Sequence, residues 1–265
     1  MIETVATDAF EMDYLRFGSG AKPLVILPGL SVQSVLSAAG AIERQYHLFC
    51  RDFTVYLFDR RKHPPESYSV CDMADDTAAA MRQLGLSDTC LFGASQGGMI
   101  AMTIAVNEPS LVGKLALGST ACRMDAARCA VIDGWIRLAR EQQSDELYHS
   151  FGKAVYPAAV FEKYRAAFSM MASTVTPQDL ERFIILAKGT ADFDVRAHLP
   201  GVACPVLVLG DSDDRVLGAD ASNEISAQLQ GRPDCEMYLY QGCGHAAYDT
   251  APDYAQRLFA FFTKE

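Results

Sequence analysis

Residues 88–109, DTCLFGASQGGMIAMTIAVNEP, carry the most specific local pattern in the chain. A short apolar run leads directly into G-A-S-Q-G at 93–97, and an apolar helical pattern follows without a spacer. Small residues two before and two after Ser95 allow a strand and a helix to pack closely around a tight turn. The pattern therefore predicts a strand, a turn and a helix, with Ser95 at the helix N-terminus, where backbone N–H groups can hold an anion.

Further apolar runs alternate with helical patterns on both sides of this unit. Strands that are apolar along their whole length are typical of a parallel sheet that is buried on both faces by helices. The sequence predicts an α/β protein with a mostly parallel, roughly eight-stranded sheet flanked by helices. The assigned strands are 23–29, 53–59, 88–93, 112–120, 205–211 and 235–240, and the assigned helices are 72–85, 95–109 and 252–264.

Residues 122–200 have helical spacing and no strand-like run. We interpret this segment as a helical cap inserted into a core domain formed by 1–121 and 201–265. Ser144 and Thr176 precede acidic residues and are expected to be helix N-caps. Aromatic and methionine side chains are frequent in the cap, and we expect most of them to pack there and the rest to line an apolar pocket over the serine.

Overall composition limits the classes of partner. The 265 residues carry a formal net charge of −10, which argues against a nucleic-acid partner and against docking on an anionic membrane surface. No apolar run has the length that a membrane span needs. Eight cysteines are scattered without paired spacing, and neither C-x-x-C nor H-x-x-x-H occurs. We therefore expect free thiols, no zinc site and a cytoplasmic location.

A serine hydroxyl becomes a good nucleophile only when a nearby base takes its proton. His245 lies in GCGHAAYD, directly after the last predicted strand, where the loops of open α/β sheets bind ligands. A carboxylate is then needed to orient the imidazole, and Asp211, Asp213 and Asp214 follow the preceding predicted strand. The chain order Ser95, acid, His245 gives a candidate catalytic triad with three competing acids.

Three segments resemble the α/β-hydrolase superfamily: GASQGGMIAMTIAVNEPSLVGKLALGST, PVLVLGDSDDRV and GCGHAAYDTAPDYAQRLFAFF. In that superfamily the acid typically lies three residues after the glycine that ends its strand. The resemblance therefore implies Asp213, counted from Gly210, as the triad acid, with Asp214 as the second choice. It also implies an oxyanion hole made by two backbone N–H groups, those of Gln96 and Leu30.

Some residues differ from the usual pattern of that superfamily, and others indicate which of its reactions this chain could perform. Pro28 stands where a histidine commonly precedes the glycine of the oxyanion loop, although a backbone donor does not require that histidine. Serine at position 95 argues against dehalogenases and epoxide hydrolases, which use aspartate there, and against dienelactone hydrolases, which use cysteine. We interpret the basic run Arg60-Arg61-Lys62 as a solvated charge run, with contact to an anionic substrate as the alternative.

Together these residues predict a serine hydrolase that cleaves a small, largely apolar carboxylic ester through an acyl-enzyme intermediate, without a cofactor or metal. The expected partner is a small-molecule acyl substrate, and the oligomeric state is left open. The same triad would serve a carbon–carbon bond, thioester, lactone or amide hydrolase, or acyl transfer to an acceptor other than water. A near-silent member that binds a ligand as a sensor is the alternative from a different class, because one fold hosts many functions.

Overall fold

An eight-stranded, mostly parallel sheet forms the centre of the described protein, as the sequence predicts. The computed structural model describes residues 1–229 and 232–264, so positions 230, 231 and 265 of the predicted core segment 201–265 lie outside the described residues. In chain order the strands are β1 (Ile2–Ala6), β2 (Glu11–Gly18), β3 (Lys22–Leu27), β4 (Phe53–Arg61), β5 (Thr89–Ala94), β6 (Val112–Gly118), β7 (Val206–Asp211) and β8 (Cys235–Tyr240).

The strands lie in the order β1-β2-β4-β3-β5-β6-β7-β8 across the sheet. β1 pairs antiparallel with β2, and β2 pairs antiparallel with β4, whereas the remaining neighbours are parallel. The apolar runs of the sequence predict the six strands of the parallel part but not β1 and β2. This pair lies at the edge of the sheet, where exposed residues interrupt the apolar ones.

Helices cover both faces of the sheet and also form the segment between β6 and β7. Across the described ranges, no helix is long and apolar enough to cross a membrane. The α-helices of these ranges are α1 (Ala39–Gln45), α2 (Val70–Gln83), α3 (Gln96–Asn107), α4 (Ala126–Arg140), α5 (Ser144–Val155), α6 (Ala158–Ala172), α7 (Pro177–Lys188), α8 (Ala221–Gln228), α9 (Ala247–Thr250) and α10 (Tyr254–Thr263).

Apolar side chains are buried on both faces of the sheet. Leu91 of β5 belongs to the core that includes residues of α2, α3 and α8, whereas its neighbour Phe92 belongs to the core that includes residues of α1, α9 and α10. All six residues of β5 are buried. Burial on both faces explains why a central strand such as β5 carries no charged side chain.

Four helices, α4–α7, lie between β6 and β7 within the segment predicted as a cap, and we refer to them as the cap helices. Helix α7 begins with a capping box, in which the Asp179 N–H donates to the Thr176 hydroxyl at 3.2 Å and the Thr176 N–H donates to the Asp179 carboxylate at 2.9 Å. The predicted N-cap at Thr176 is confirmed. Ser144 is instead the first residue of α5, and the N-cap is Gln143.

Two glycines allow the turn between β5 and α3 to form. A Cβ atom added at Gly97 would overlap the carbonyl oxygen of Leu27 at the end of β3. One added at Gly93 would overlap the carbonyl oxygen of Gly97. The first turn of α3 therefore lies against both β5 and the end of β3, with no space for a side chain at either glycine.

We expect Gly97→Ala to lower the free energy of unfolding by about 1–3 kcal/mol, the range typical of overpacking, because the added methyl meets backbone rather than a movable side chain. The measurement is urea unfolding followed by circular dichroism. The control is Gly134→Ala in α4, where an added Cβ has no neighbour within 4 Å. That variant should be as stable as the wild type or more so, since alanine favours helix. Equal unfolding midpoints for the two variants would contradict this account of the turn.

Candidate functional site

Ser95 lies at the turn between β5 and α3 with φ of 51° and ψ of −122°. A positive φ is uncommon for a residue other than glycine and persists only where the surroundings hold it. The Ser95 N–H donates to the Gly118 carbonyl at 2.9 Å, and the Ser95 carbonyl accepts the Thr120 hydroxyl at 2.7 Å. Both partners come from the end of β6 or the loop that follows it, so the neighbouring strand holds the serine in its strained conformation.

His245 lies in the loop after β8, and its ring contacts Asp214 from the loop after β7. The distance between His245 Nδ1 and Asp214 Oδ2 is 2.8 Å, and both side chains are 4% exposed. Asp214 Oδ1 accepts the backbone N–H groups of Val216 at 2.8 Å and Leu217 at 3.0 Å. These bonds hold the carboxylate in one orientation. When Nδ1 donates to it, Nε2 is the ring nitrogen with a lone pair for proton transfer.

The structure places Asp214, and not the expected Asp213, against the imidazole of His245. Strand β7 ends at Asp211, as the sequence predicts. In the turn that follows, the Asp213 N–H donates to Asp211 Oδ1 at 2.7 Å, and the exposed Asp213 carboxylate accepts the Gly242 N–H at 2.7 Å. The buried position against the imidazole therefore falls one residue later than the resemblance implies.

The surroundings of Asp214 act on its pKa in opposite directions. Burial raises the pKa, whereas the charge and hydrogen bond of His245 and the backbone N–H groups of Leu217 and Val216 lower it. The net result is a pKa below the ordinary value of 3.8. The carboxyl group is therefore ionised at neutral pH and can stabilise a protonated imidazole.

Gln96 and Leu30, the two residues expected to supply an oxyanion hole, lie in the wall of the same cavity as Ser95. Gln96 is the first residue of α3, so helix geometry gives its N–H no partner within the helix. The loop after β3 passes directly beside the serine, since a Cβ added at Gly29 would lie 3.1 Å from Ser95 Cβ and 3.7 Å from its Oγ. The two candidate donors therefore approach the serine from two different segments of backbone.

Ser95 and His245 line one small cavity of about 30 Å³. Helices α4 and α5 supply part of its wall, and the core supplies the rest. Most of the wall is apolar, so an acyl group here would be surrounded by hydrocarbon rather than by charges. Besides the serine, the histidine and the two candidate donors, the wall consists of Gly29, Met99, Met124, Ile132, Trp135, Phe151, Val155, Thr190, Val216, Leu217 and Tyr248.

A larger cavity of about 360 Å³ adjoins the small one. Phe151, Val155 and Tyr248 are among the wall residues that the two cavities share. A third cavity, of about 500 Å³, lies between the start of α2 and the end of α7, and neither Ser95 nor His245 lines it. The cavity beside the serine therefore extends towards the second space rather than the third.

The interpretation of the basic run as solvated is wrong for Arg60, which is 4% exposed. Strand β4 extends to Arg61, so Arg60 lies inside the sheet. Its Nη2 donates to the Pro28 carbonyl at 2.7 Å and to Gln96 Oε1 at 3.3 Å. The side chains of Arg61 and Lys62 are 22% and 35% exposed. Neighbouring residues in a strand face opposite sides of the sheet. A predicted strand that continued to Arg61 would therefore have placed the side chains of Arg60 and Arg61 on different faces.

The histidines other than His245 have different surroundings. His149 lies in α5, where its Nε2 is 3.0 Å from the Ser169 hydroxyl of α6. His198 lines the cavity between α2 and α7. Within residues 1–229 and 232–264, no group of three or more His, Cys, Asp or Glu side chains is arranged to hold a metal ion.

The sequence matches the model described as the Alpha/beta hydrolase family over residues 24–257. A relative from Serratia proteamaculans named carbamate hydrolase RutD is 26% identical over 261 residues, covering 89% of this chain and 91% of the relative. A Dechloromonas aromatica relative named 2-hydroxy-6-oxononadienedioate/2-hydroxy-6-oxononatrienedioate hydrolase 1 is 28% identical, covering 96% of this chain and 91% of the relative. The solved structure of MGS-M2, an alpha/beta hydrolase enzyme from a Medee basin deep-sea metagenome library, has a TM-score of 0.88 at 20% identity, covering 99% of this chain and 98% of that one.

The lowered pKa of Asp214 predicts a pH-dependent contribution to stability. A carboxyl group whose folded pKa is depressed stabilises the fold above its unfolded pKa of about 3.9, and this contribution is lost as the pH falls through the folded value. We therefore expect Asp214→Asn to lower the free energy of unfolding more at pH 7 than at pH 3. Urea unfolding at both pH values measures the difference, with Asp213→Asn as the exposed control. An equal loss at both pH values would show that the ionised carboxylate is not what stabilises the pair.

Proposed function

Since the chain belongs to the alpha/beta hydrolase family and is a hydrolase, we propose that it acts as a serine hydrolase on small, largely apolar carboxylic esters. Ser95 is the proposed nucleophile, His245 the base and Asp214 the acid that orients the imidazole. One observation carries the proposal: Ser95 and His245 line the same apolar cavity, while Asp214 contacts the Nδ1 side of the ring.

In the first step, Ser95 Oγ attacks the carbonyl carbon of the ester while His245 Nε2 takes the hydroxyl proton. The carbonyl oxygen becomes an oxyanion, which the N–H groups of Gln96 and Leu30 stabilise. One such donor typically contributes on the order of 10²–10³ in rate. The imidazolium, stabilised by the ionised Asp214, then gives its proton to the leaving alkoxide as the carbon–oxygen bond breaks. The products are the free alcohol and an acyl ester on Ser95.

Water then hydrolyses the acyl-enzyme with the same base and the same oxyanion donors. His245 takes a proton from a water molecule as its oxygen attacks the acyl carbon, and the oxyanion returns to the same two N–H groups. The bond between the acyl carbon and Ser95 Oγ then breaks, and the imidazolium returns its proton to the serine. A carboxylic acid leaves and the enzyme is regenerated.

The shape and chemistry of the cavity support a small apolar acyl group. A cavity of about 30 Å³ has space for only a few atoms beyond the reacting ones. A longer acyl chain would have to pass Phe151, Val155 and Tyr248 to reach the adjoining cavity of about 360 Å³. These three side chains are therefore proposed to limit chain length.

Carbamate hydrolysis is the second candidate, because the relative from Serratia proteamaculans is named for it. A carbamate presents a carbonyl carbon that the same serine can attack. The name of the Dechloromonas aromatica relative specifies a dicarboxylate substrate. Among the described residues that line the cavity beside Ser95 there is no arginine or lysine to bind a carboxylate, which favours an ester or a carbamate.

The proposal also covers the role of the helices between β6 and β7 and the cellular compartment. We propose that 122–200 acts as a cap over a core formed by 1–121 and 201–265, because α4 and α5 contribute side chains to the cavity wall. We also propose a cytoplasmic setting and a small-molecule substrate rather than a nucleic acid or membrane. Free buried thiols at Cys90 and Cys204 and a net charge of −10 support this setting.

The proposal predicts turnover of p-nitrophenyl esters that is fastest for acyl chains of about two to four carbons, because longer chains meet the cavity wall. Ser95→Ala should lower kcat by about 10³-fold or more. Ser37→Ala removes an exposed serine hydroxyl that bonds the Ser34 carbonyl and should keep full activity. Full activity in Ser95→Ala would mean that the nucleophile is misassigned. No turnover by folded wild type would count against ester hydrolysis.

The two aspartates give a matched pair of variants for the acid. Asp214→Asn should lower kcat by about 10²–10⁴-fold, because the neutral amide no longer stabilises the imidazolium. Asp213→Asn should stay within about threefold of wild type, since its carboxylate is exposed and bonds the Gly242 N–H instead. Steady-state kinetics with the best ester measures both. A larger loss in Asp213→Asn than in Asp214→Asn would restore Asp213 as the acid.

A further inference from the structure

Arg60 contacts both segments that carry the candidate oxyanion donors. Its Nη2 donates to the carbonyl of Pro28, two residues before Leu30, at 2.7 Å. The same nitrogen donates to Oε1 of Gln96, the residue whose own backbone N–H is the other donor, at 3.3 Å. One buried guanidinium therefore bridges the loop after β3 and the first residue of α3.

The Gln96 side chain is held at both ends. Its Oε1 accepts from Arg60, and its Nε2 donates to the Leu186 carbonyl of cap helix α7 at 2.7 Å. Gln96 is 2% exposed, so water does not compete for these bonds. Because the side chain is fixed between the sheet and the cap, the position of the Gln96 main chain is fixed with it.

The charge of Asp59 acts on the buried Arg60, although the carboxylate forms its ion pair with Arg182. Asp59 Oδ1 accepts the Arg60 backbone N–H at 2.8 Å and Arg182 Nη2 of α7 at 2.7 Å. Asp59 Oδ2 accepts the Ser34 hydroxyl at 2.7 Å. Burial lowers the pKa of Arg60 to about 10, so the guanidinium is still charged at neutral pH. A buried cation is costly, and a neighbouring carboxylate with further partners offsets that cost.

We propose that Arg60 is a positioning residue that holds the N–H groups of Gln96 and Leu30 in the geometry of an oxyanion hole. This inference rests on the proposed function of Ser95. Arg60 does not line the cavity beside the serine, so it acts through the two segments that it bridges rather than on the substrate. A planar guanidinium suits this task because its N–H groups diverge in a fixed fork.

The test compares Arg60→Met, which keeps the apolar stem of the side chain, with Arg60→Lys, which keeps the charge and can still reach one acceptor. Arg60→Met should lower kcat for the best p-nitrophenyl ester by about 10- to 100-fold, with KM changed by less than about threefold. Arg60→Lys should recover part of that loss. Arg61→Met is the control, because Arg61 pairs with Asp76 and does not contact Pro28 or Gln96.

A pair of inhibitors separates positioning from general damage to the fold. A short alkyl trifluoromethyl ketone forms a tetrahedral adduct with the serine, so its oxygen uses the oxyanion hole. The methyl ketone of the same length binds without forming that adduct. In wild type and Arg61→Met the trifluoromethyl ketone should have a far lower Ki than the methyl ketone. In Arg60→Met this preference should fall by about the same factor as kcat, with the Ki of the methyl ketone unchanged.

Each outcome of the inhibitor test bears on a different claim. If Arg60→Met keeps the wild-type preference for the trifluoromethyl ketone, Arg60 does not position the donors and the inference is overturned. If both inhibitors weaken equally in Arg60→Met, its role is structural and the inference also fails. If wild type itself shows no preference while Ser95→Ala binds both inhibitors equally well, the proposed function of Ser95 fails, and the inference fails with it.

Discussion

Three backbone segments meet at Ser95 at distances that leave no space for side chains, and the remaining geometry of the site depends on this contact. Gly97 at the start of α3 lies against the Leu27 carbonyl at the end of β3, and Gly93 of β5 lies against Gly97. The contact brings the loop after β3 beside Ser95, whose positive φ is held by its hydrogen bonds to Gly118 and Thr120. A strained backbone conformation persists only where the surrounding structure holds it, and such conformations are commonly found at functional sites.

The rest of the site is assembled by the order of the parallel strands. β7 and β8 are neighbours, so the loops that follow them meet, and the Cys243 N–H donates to Asp211 Oδ2 at 2.9 Å between them. This contact brings Asp214 and His245 together although 31 positions separate them in the chain. Helix α5 contacts the same loop, because the Ala246 N–H donates to the carbonyl at the end of α5 at 3.0 Å. Movement of α5 would therefore shift Ala246, the residue that follows His245.

The parts of the site that depend on local sequence were predictable from it. The strand–turn–helix at 93–97 needs small residues at fixed positions, and a glycine-serine pattern between two apolar runs specifies it. The position of His245 directly after the last strand was predicted by the same reasoning, and its role as the base stays a proposal. Strands β1 and β2 were not predicted, because exposed residues interrupt their apolar ones and neither contains a continuous apolar run.

The contacts of Asp214 and Arg60 differ from the sequence-based expectations for two different physical reasons. β7 ends at Asp211, as the sequence predicts, but in the turn after it Asp213 bonds the Gly242 N–H and Asp214 lies against the imidazole. β4 extends to Arg61, so Arg60 is buried although it begins a run of three basic residues. The polar ends of both strands are stabilised by partners distant in the chain, such as Pro28 for Arg60. Composition and periodicity carry no information about such partners.

The most direct test of the central claim, that Ser95 is acylated during turnover, is mass spectrometry of the protein after reaction with p-nitrophenyl acetate and rapid quenching in acid. The account predicts a single acetyl adduct on the peptide that contains Ser95, and no adduct at that peptide in His245→Ala, because the serine then lacks its base. An adduct on another residue, or ester turnover without any adduct at Ser95 under single-turnover conditions, would contradict it.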